Sequence, residues 1–191
     1  MAENQNPAGK PWHRHFETVG SITAIVVGVA ALYVSWDQGR VMREEVRASV
    51  WPAVQLDGFV SRDESTISAG LNIANAGVGP ALIRRISVFH DGRLLSDFDE
   101  VASRMPANAD PSRQSVAGRI LGAGDRVEAF SFRYPLGEDP ADAVELERAM
   151  SQSWNVEVCY CSSLGQCWIA RTDGSIPLDA EGCEQTPGSR L

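Results

Sequence analysis

The pattern of apolar and polar positions changes near residue 50. Between Glu17 and Asp37 run 19 residues without a charge, Thr18 to Trp36. A helix of that length spans about 28 Å, close to the hydrocarbon thickness of a bilayer. Trp12 before the run, and Tyr33 and Trp36 at its end, suit the headgroup level where aromatic rings collect. The run is long for the apolar region of a signal peptide, and Tyr33-Val34-Ser35-Trp36 lacks the small residues of a cleavage site. The expectation is a tail over 1–17 and a retained transmembrane helix over 18–36. Residues 37–50 stay helical, with Arg40 and Glu44 at i, i+4 and Glu44 and Arg47 at i, i+3. Val34, Val41 and Ala48 repeat every seven residues, but Asp37 and Glu44 occupy the intervening d positions, so a short stalk is expected rather than a coiled coil. Pro52 ends it.

From Trp51 the pattern turns to short strands between turn residues. Ala53–Val60, Thr66–Ala74 and Ala81–His90 read as strands, the second by the alternation of Ile67, Ala69, Leu71 and Ile73. Asn75-Ala-Gly-Val-Gly-Pro80 reads as a loop, and Asp91-Gly92 as a type I′ turn returning through Arg93–Leu95. Ser96 is placed to cap a short helix carrying Phe98, Val101, Ala102 and Met105 on one face, closed by Pro106. Asn108–Arg113 reads as a polar loop, and Ser115–Leu121 with Arg126–Tyr134 as a hairpin across Gly122-Ala-Gly-Asp125. Asp139-Pro140 and Asp142 open a second helix running to Gln152. Trp154–Ser162 and Cys167–Thr172 form the last hairpin, and the tail over 173–191 reads as irregular. The fold class that follows is mainly β. An antiparallel β-sandwich over 51–172, with two short helical insertions, stands behind the membrane helix and stalk.

Charge sharpens this division. The formal charge is -8, and residues 1–50 hold five basic and five acidic side chains, so the whole of it falls on residues 51–191. An acidic domain repels phosphate backbones, so nucleic acid is not an expected partner. Lys10 is the single lysine among 17 basic residues, and His90 is the one histidine beyond residue 50. Schiff-base, P-loop and multi-histidine metal chemistry therefore have no residues to use there. His90 reads as a solvent-exposed turn residue. The acids Glu138, Asp139, Asp142, Glu145 and Glu147 read as a solvated helix face near a helix N-terminus. Of Arg84 and Arg85, one faces outward and the other snorkels or pairs. No catalytic residue, cofactor or metal is expected, and the chain reads as a non-enzyme. The bilayer is the partner the sequence implies. Gly20, Ala24 and Gly28 form a small-residue stripe on one helix face, which would permit packing of the anchor in a homo-oligomer.

The four cysteines carry the remaining chemistry. With Ser163-Leu164-Gly165 as a three-residue loop and Gly165 left-handed, Cys161 opposes Cys167 and Tyr160 opposes Trp168. Trp154, Val156, Val158, Tyr160 and Trp168 then share the core face, and Cys159, Cys161 and Cys167 the other. Opposed residues lie within disulfide reach. Cys161–Cys167 and Cys159–Cys183 would use all four, which suits an oxidising compartment. Two alternatives stay open: free thiols in a cytoplasmic domain, and a metal or redox site formed by Cys159, Cys161, Cys167 and Cys183, although Cys-x-Cys is tighter than the usual zinc spacing.

The positive-inside count is close to a tie, with Lys10 and Arg14 on one side and Arg40, Arg43 and Arg47, partly offset by acids, on the other. Cysteine usage tips it towards an inner-membrane anchor with a periplasmic domain. The stretch Asn75-x-Gly77-x-Gly79-Pro80-Ala81, with Val88-x-x-Asp91-Gly92, resembles the B–C region of immunoglobulin-like bacterial adhesion-type modules. With Val50-Trp51-Pro52 before it and Cys161-Ser162 to Cys167-Trp168 after it, most of the chain resembles a group of uncharacterised bacterial single-pass membrane proteins with such a domain. The resemblance implies an immunoglobulin-like sandwich and no established activity. The expected role is a membrane-anchored, non-enzymatic binding or accessory module of the cell envelope, with an envelope protein as a possible partner. The alternative is a thiol-redox or metal-binding membrane protein built on the cysteine hairpin.

Overall fold

The computed structural model describes residues 12–137, 144, 148, 149 and 154–184. The chain divides into two compact units, Met1–Val46 and Arg47–Leu191. Helix α1 runs without a break over Trp12–Ser49, so the apolar run and the stalk are one element. Its apolar part reaches a mean hydropathy of 1.9, and the helix is long and apolar enough to cross a membrane. Gly20, Ala24 and Gly28 are all exposed, and a Cβ built on Gly20 or Gly28 would meet nothing within 4 Å. The Thr23 hydroxyl donates to the Val19 carbonyl at 2.8 Å, which satisfies it within the helix.

Beyond α1 the protein is mainly β. In chain order the strands are β1 Val54–Arg62, β2 Thr66–Asn75, β3 Ala81–His90, β4 Arg93–Leu94, β5 Asp110–Arg113 and β6 Ile120–Leu121. They are followed by β7 Arg126–Pro135, β8 Trp154–Cys161, β9 Cys167–Arg171 and β10 Leu178–Ala180. A short helix α2, Phe98–Ala102, lies between β4 and β5. One antiparallel sheet has the order β1-β2-β7-β5, the other β10-β9-β8-β3-β4, with β6 also on β3. The buried residues of both join one apolar cluster: Leu71 and Ile73 from β2, Ile83 and Val88 from β3, Phe132 from β7, Val158 and Tyr160 from β8. Helix α2 adds Phe98, whose ring stacks on Phe132 at 5.7 Å under the Arg113 guanidinium.

Two irregularities keep the apolar residues pointing inward. On β3 the side chains of Ala81 and Ile83 are buried, and then those of Ile86 and Val88. Simple alternation would fail between them, and the register shifts between Ile83 and Arg85. The extra residue leaves Arg84 exposed. On the β2–β7 ladder the register shifts between Leu71 and Asn72, and Val127 and Ala129 pass to Phe132 and Tyr134 in the same way.

Several local expectations are corrected. Asp97, not Ser96, is the N-cap of α2: its carboxylate accepts from the Glu100 backbone N–H at 2.9 Å, and Glu100 reaches back to the Ser96 N–H at 2.8 Å. The carboxylate at 97 sits one residue closer to the exposed amides of the first turn. Asn108–Arg113 is not wholly a loop, because Asp110–Arg113 pairs with β7 as a fully exposed edge strand that tolerates Pro111. The hairpin across Gly122-Ala-Gly-Asp125 does not form. β6 pairs with β3 and β7 with β2, so this turn passes the chain from one sheet to the other. The tail is ordered at Leu178–Ala180, which pairs with β9. The second helical insertion, and the acids at 138, 139, 142, 145 and 147, lie outside the described residues, of which Val144, Arg148 and Ala149 are helical.

The loop at 75–80 is organised by one side chain. Asn75 is 1% exposed. Its Oδ1 accepts from the backbone N–H of Ala53 at 3.1 Å and of Gly77 at 3.0 Å. Its Nδ2 donates to the carbonyls of Gly79 at 2.7 Å, Leu121 at 3.1 Å and Gly122 at 3.1 Å. The glycines are needed for close approach: a Cβ on Gly79 would sit 2.0 Å from the Val50 oxygen, and one on Gly77 2.4 Å from the Ala53 nitrogen. Asn75→Ala orphans backbone groups that have few other partners. The expected loss is about 3 kcal/mol or more, and thermal melting should fall by about 10 °C. Asn75→Asp, which keeps the volume but turns a carboxylate on three carbonyls, should be at least as damaging. A shift of a degree or two in either variant would show that the amide is not the organising contact.

Candidate functional site

The β8–β9 hairpin positions the cysteines. Its loop is Ser163-Leu164-Gly165, with Gly165 at φ 82°. Ser162 N–H donates to the Gln166 carbonyl at 2.8 Å, and the Ser162 hydroxyl accepts from Leu164 and Gln166 N–H groups at 3.3 Å each. Cys161 faces Cys167 and Tyr160 faces Trp168. The two rings stack with centroids 5.8 Å apart, on the face that carries Val156 and Val158 into the core. Because the Ser162–Gln166 pair is hydrogen-bonded, the Cys161–Cys167 pair falls in the closer, non-bonded class.

The structure holds the disulfides Cys161–Cys167, with Cα atoms 4.0 Å apart, and Cys159–Cys183, with Cα atoms 5.7 Å apart. The hairpin register sets Cys161 against Cys167, the tail brings Cys183 to Cys159, and all four cysteines are used. Cys159 and Cys161 are buried at 1% and 7% exposure, although they face away from the core. The tail covers them. β10 lies beside β9 with Ala180 opposite Cys167, and the Arg85 guanidinium, opposite Cys159 on β3, donates to the Glu184 carbonyl. The two disulfides touch: Cys161 Sγ lies 3.6 Å from Cys183 Sγ. The sulfurs of Cys161, Cys167 and Cys183 all lie within 4.8 Å of one another. Bonded in pairs, they lack the thiolate charge that a metal ion requires.

Residues outside this cluster offer less chemistry. His90 is not solvent-exposed: it is 7% exposed, its ring meets the edge of Trp154 at 4.6 Å, and its Nδ1 lies 3.4 Å from Asp91 Oδ2. The strand ladder sets Trp154 opposite His90, and that pairing shields the ring. The Tyr160 hydroxyl is the one buried side-chain polar atom among the described residues with no hydrogen bond. Burial pushes its pKa up, and the neighbouring Val54 backbone opposes this by less. A cavity of about 220 Å³ opens between the sheets, lined by Leu56, Gly70, Met105, Phe130, Trp154 and Thr172 among others. It is apolar and carries no reactive group. Its lining is spread over five elements and two connecting segments, so no sequence motif announces it. The tail strand and its Arg85 anchor also escaped the sequence, since three residues beside Gly and Pro show no period.

No family model matches the chain, and no curated protein matches it.

At the β1–β2 turn, Asp63 accepts from Thr66 Oγ1 and N–H, at 2.7 Å each, and from Ser65 N–H at 2.9 Å. These bonds, led by the Thr66 hydroxyl, hold its pKa down at about 2. A carboxyl lowered on folding adds stability above its ordinary value, and that contribution is lost as pH falls towards about 2. Side-chain NMR should show Asp63 titrating near that pH, and Asp63→Asn should flatten the acid dependence of the turn's amide signals. A midpoint at the ordinary aspartate value would refute the assignment. For the cysteines, alkylation before reduction should add no mass, and alkylation after it four groups. Cys183→Ser opens a cross-link of sequence separation 24. The cost should be about 3 kcal/mol, read by denaturant titration, and an unchanged midpoint would argue against the cross-link.

Proposed function

We propose that the chain is a membrane-anchored, non-enzymatic binding or accessory module of a bacterial cell envelope. In this reading residues 18–36 span the inner membrane and the β domain is periplasmic. The carrying observation is the long apolar helix, exposed throughout its described side chains, joined to a β domain closed by two disulfides. A helix this apolar needs a lipid or protein surface to cover it. Disulfides persist in oxidising compartments, which favours the periplasmic side.

The strand orders support an immunoglobulin-like sandwich. β1-β2-β7-β5 corresponds to A-B-E-D, and β9-β8-β3 to G-F-C, with β4 in the place of C′. The domain departs from antibody domains in lacking a disulfide between strands B and F. In such sandwiches the loops at the ends are the usual binding elements, and that analogy supports the binding role. The open stripe of Gly20, Ala24 and Gly28 suits packing against a second anchor helix.

A phosphatase fused after Leu191, which works only when exported, should be active, and a fluorescent reporter that matures only in the cytoplasm should stay dark. The reverse pattern would overturn the periplasmic placement. Release of the protein from membranes by alkaline carbonate would overturn the anchor. A metal-binding reading draws on the three clustered sulfurs, and stoichiometric zinc in protein purified without reductant would favour it instead.

A further inference from the structure

We propose that the two disulfides are a single exchange-coupled unit, in which Cys161 and Cys183 form a third pairing and so pass a disulfide between the β8–β9 hairpin and the C-terminal tail.

The 3.6 Å between Cys161 Sγ and Cys183 Sγ is the distance from which a thiolate attacks a disulfide sulfur with little movement of the chain. Each of these two sulfurs belongs to a different disulfide. Freeing either one as a thiolate therefore places a nucleophile against the other bond. The four sulfurs also differ in access. Cys159 and Cys161 are buried, whereas Cys167 and Cys183 are half-exposed. A reductant meets Cys167 at the hairpin tip, where its half-exposed sulfur lies 3.6 Å from the carbonyl of the Gly165 turn.

The sequence of steps balances with an external dithiol as reductant. One dithiol sulfur, as thiolate, attacks Cys167 Sγ. The Cys161–Cys167 bond breaks, and Cys161 leaves as thiolate. Cys161 then attacks Cys183 Sγ, the Cys159–Cys183 bond breaks, and Cys159 leaves as thiolate. The second dithiol sulfur resolves the mixed disulfide at Cys167. The dithiol ends as a disulfide, the chain ends with Cys161–Cys183, and the two protons rest on Cys159 and Cys167. Arg85 favours the middle step. It stands opposite Cys159 in the ladder and binds the carbonyl next to Cys183, so it holds the tail against the hairpin while Cys159 departs. The tail stays attached throughout, because Cys183 exchanges one partner on β8 for another two residues away.

The test uses the full chain in detergent. Wild-type protein is treated with less than one equivalent of dithiothreitol, quenched with acid and alkylated, and its linkages are mapped by fragment-ion sequencing. The expected product carries Cys161–Cys183 with Cys159 and Cys167 alkylated. In a second arm, Cys159→Ser leaves Cys183 as a thiol beside Cys161–Cys167. The tryptic peptide that follows Arg171 should then remain cross-linked to the β8–β9 peptide through Cys161, in an amount of the same order as the uncrossed form. Exchange is refuted if partial reduction yields only the two original disulfides and their open forms. It is equally refuted if Cys159→Ser leaves Cys183 wholly alkylated with Cys161–Cys167 intact. The first arm needs no variant to fold, so it decides alone if the substitution prevents folding.

Discussion

The carboxamide of Asn75 is the constraint on which the β domain rests. Five backbone groups from three separate segments meet it: Ala53 after the Pro52 junction, the Gly77–Gly79 loop, and the segment by which the chain crosses between sheets. Backbone polar groups in a buried loop must find partners, and here one side chain supplies them. Only an amide offers both acceptor and donor at that reach. The glycines follow from it, because any side chain at 77 or 79 would collide with the chain at 50–53. What reads in the sequence as a turn-rich loop is a joint between the entry to the domain and both of its sheets.

The cysteine cluster does a similar task at another place. The outward face of a hairpin is ordinarily solvated, yet Cys159 and Cys161 are buried because a three-residue strand and a disulfide fold the tail over them. A strand that short has little hold of its own, so covalent linkage and the Arg85 contact to Glu184 supplement its ladder. The same closeness that stabilises the tail brings sulfurs of two disulfides into contact. Stability and exchange chemistry thus come from one arrangement. The apolar cavity between the sheets has no such reactive group.

The hairpin was legible because its register depends only on local rules: a three-residue loop with a left-handed glycine, and a period of two. Those rules place Cys161 against Cys167 and Tyr160 against Trp168. The partner strands were legible for the same reason, and Ala81–His90 and the Asp91-Gly92 turn, with φ of 49° and 75°, have the expected bounds and type. The burial of His90 is not legible in the sequence, because its surroundings come from Trp154, 64 positions later in the chain. The edge strand at Asp110–Arg113 has the sequence pattern of a loop, because both its faces are exposed, which removes the alternation that marks a strand.

By itself, the sequence determined what repeats within a few residues. It set the long helix with its uncharged run, the strands of period two, the turn types, the acidity of the domain and the cysteine register, since each follows from local backbone and solvation preferences. The tertiary structure alone decided which strands share a sheet, where the bulges fall, that the Gly122–Asp125 turn crosses between sheets, and that the tail closes over the cysteines. Those outcomes depend on burying apolar faces and pairing backbone groups between segments far apart in the chain. No local pattern encodes such pairings, because their energy exists only once the distant partner is in place.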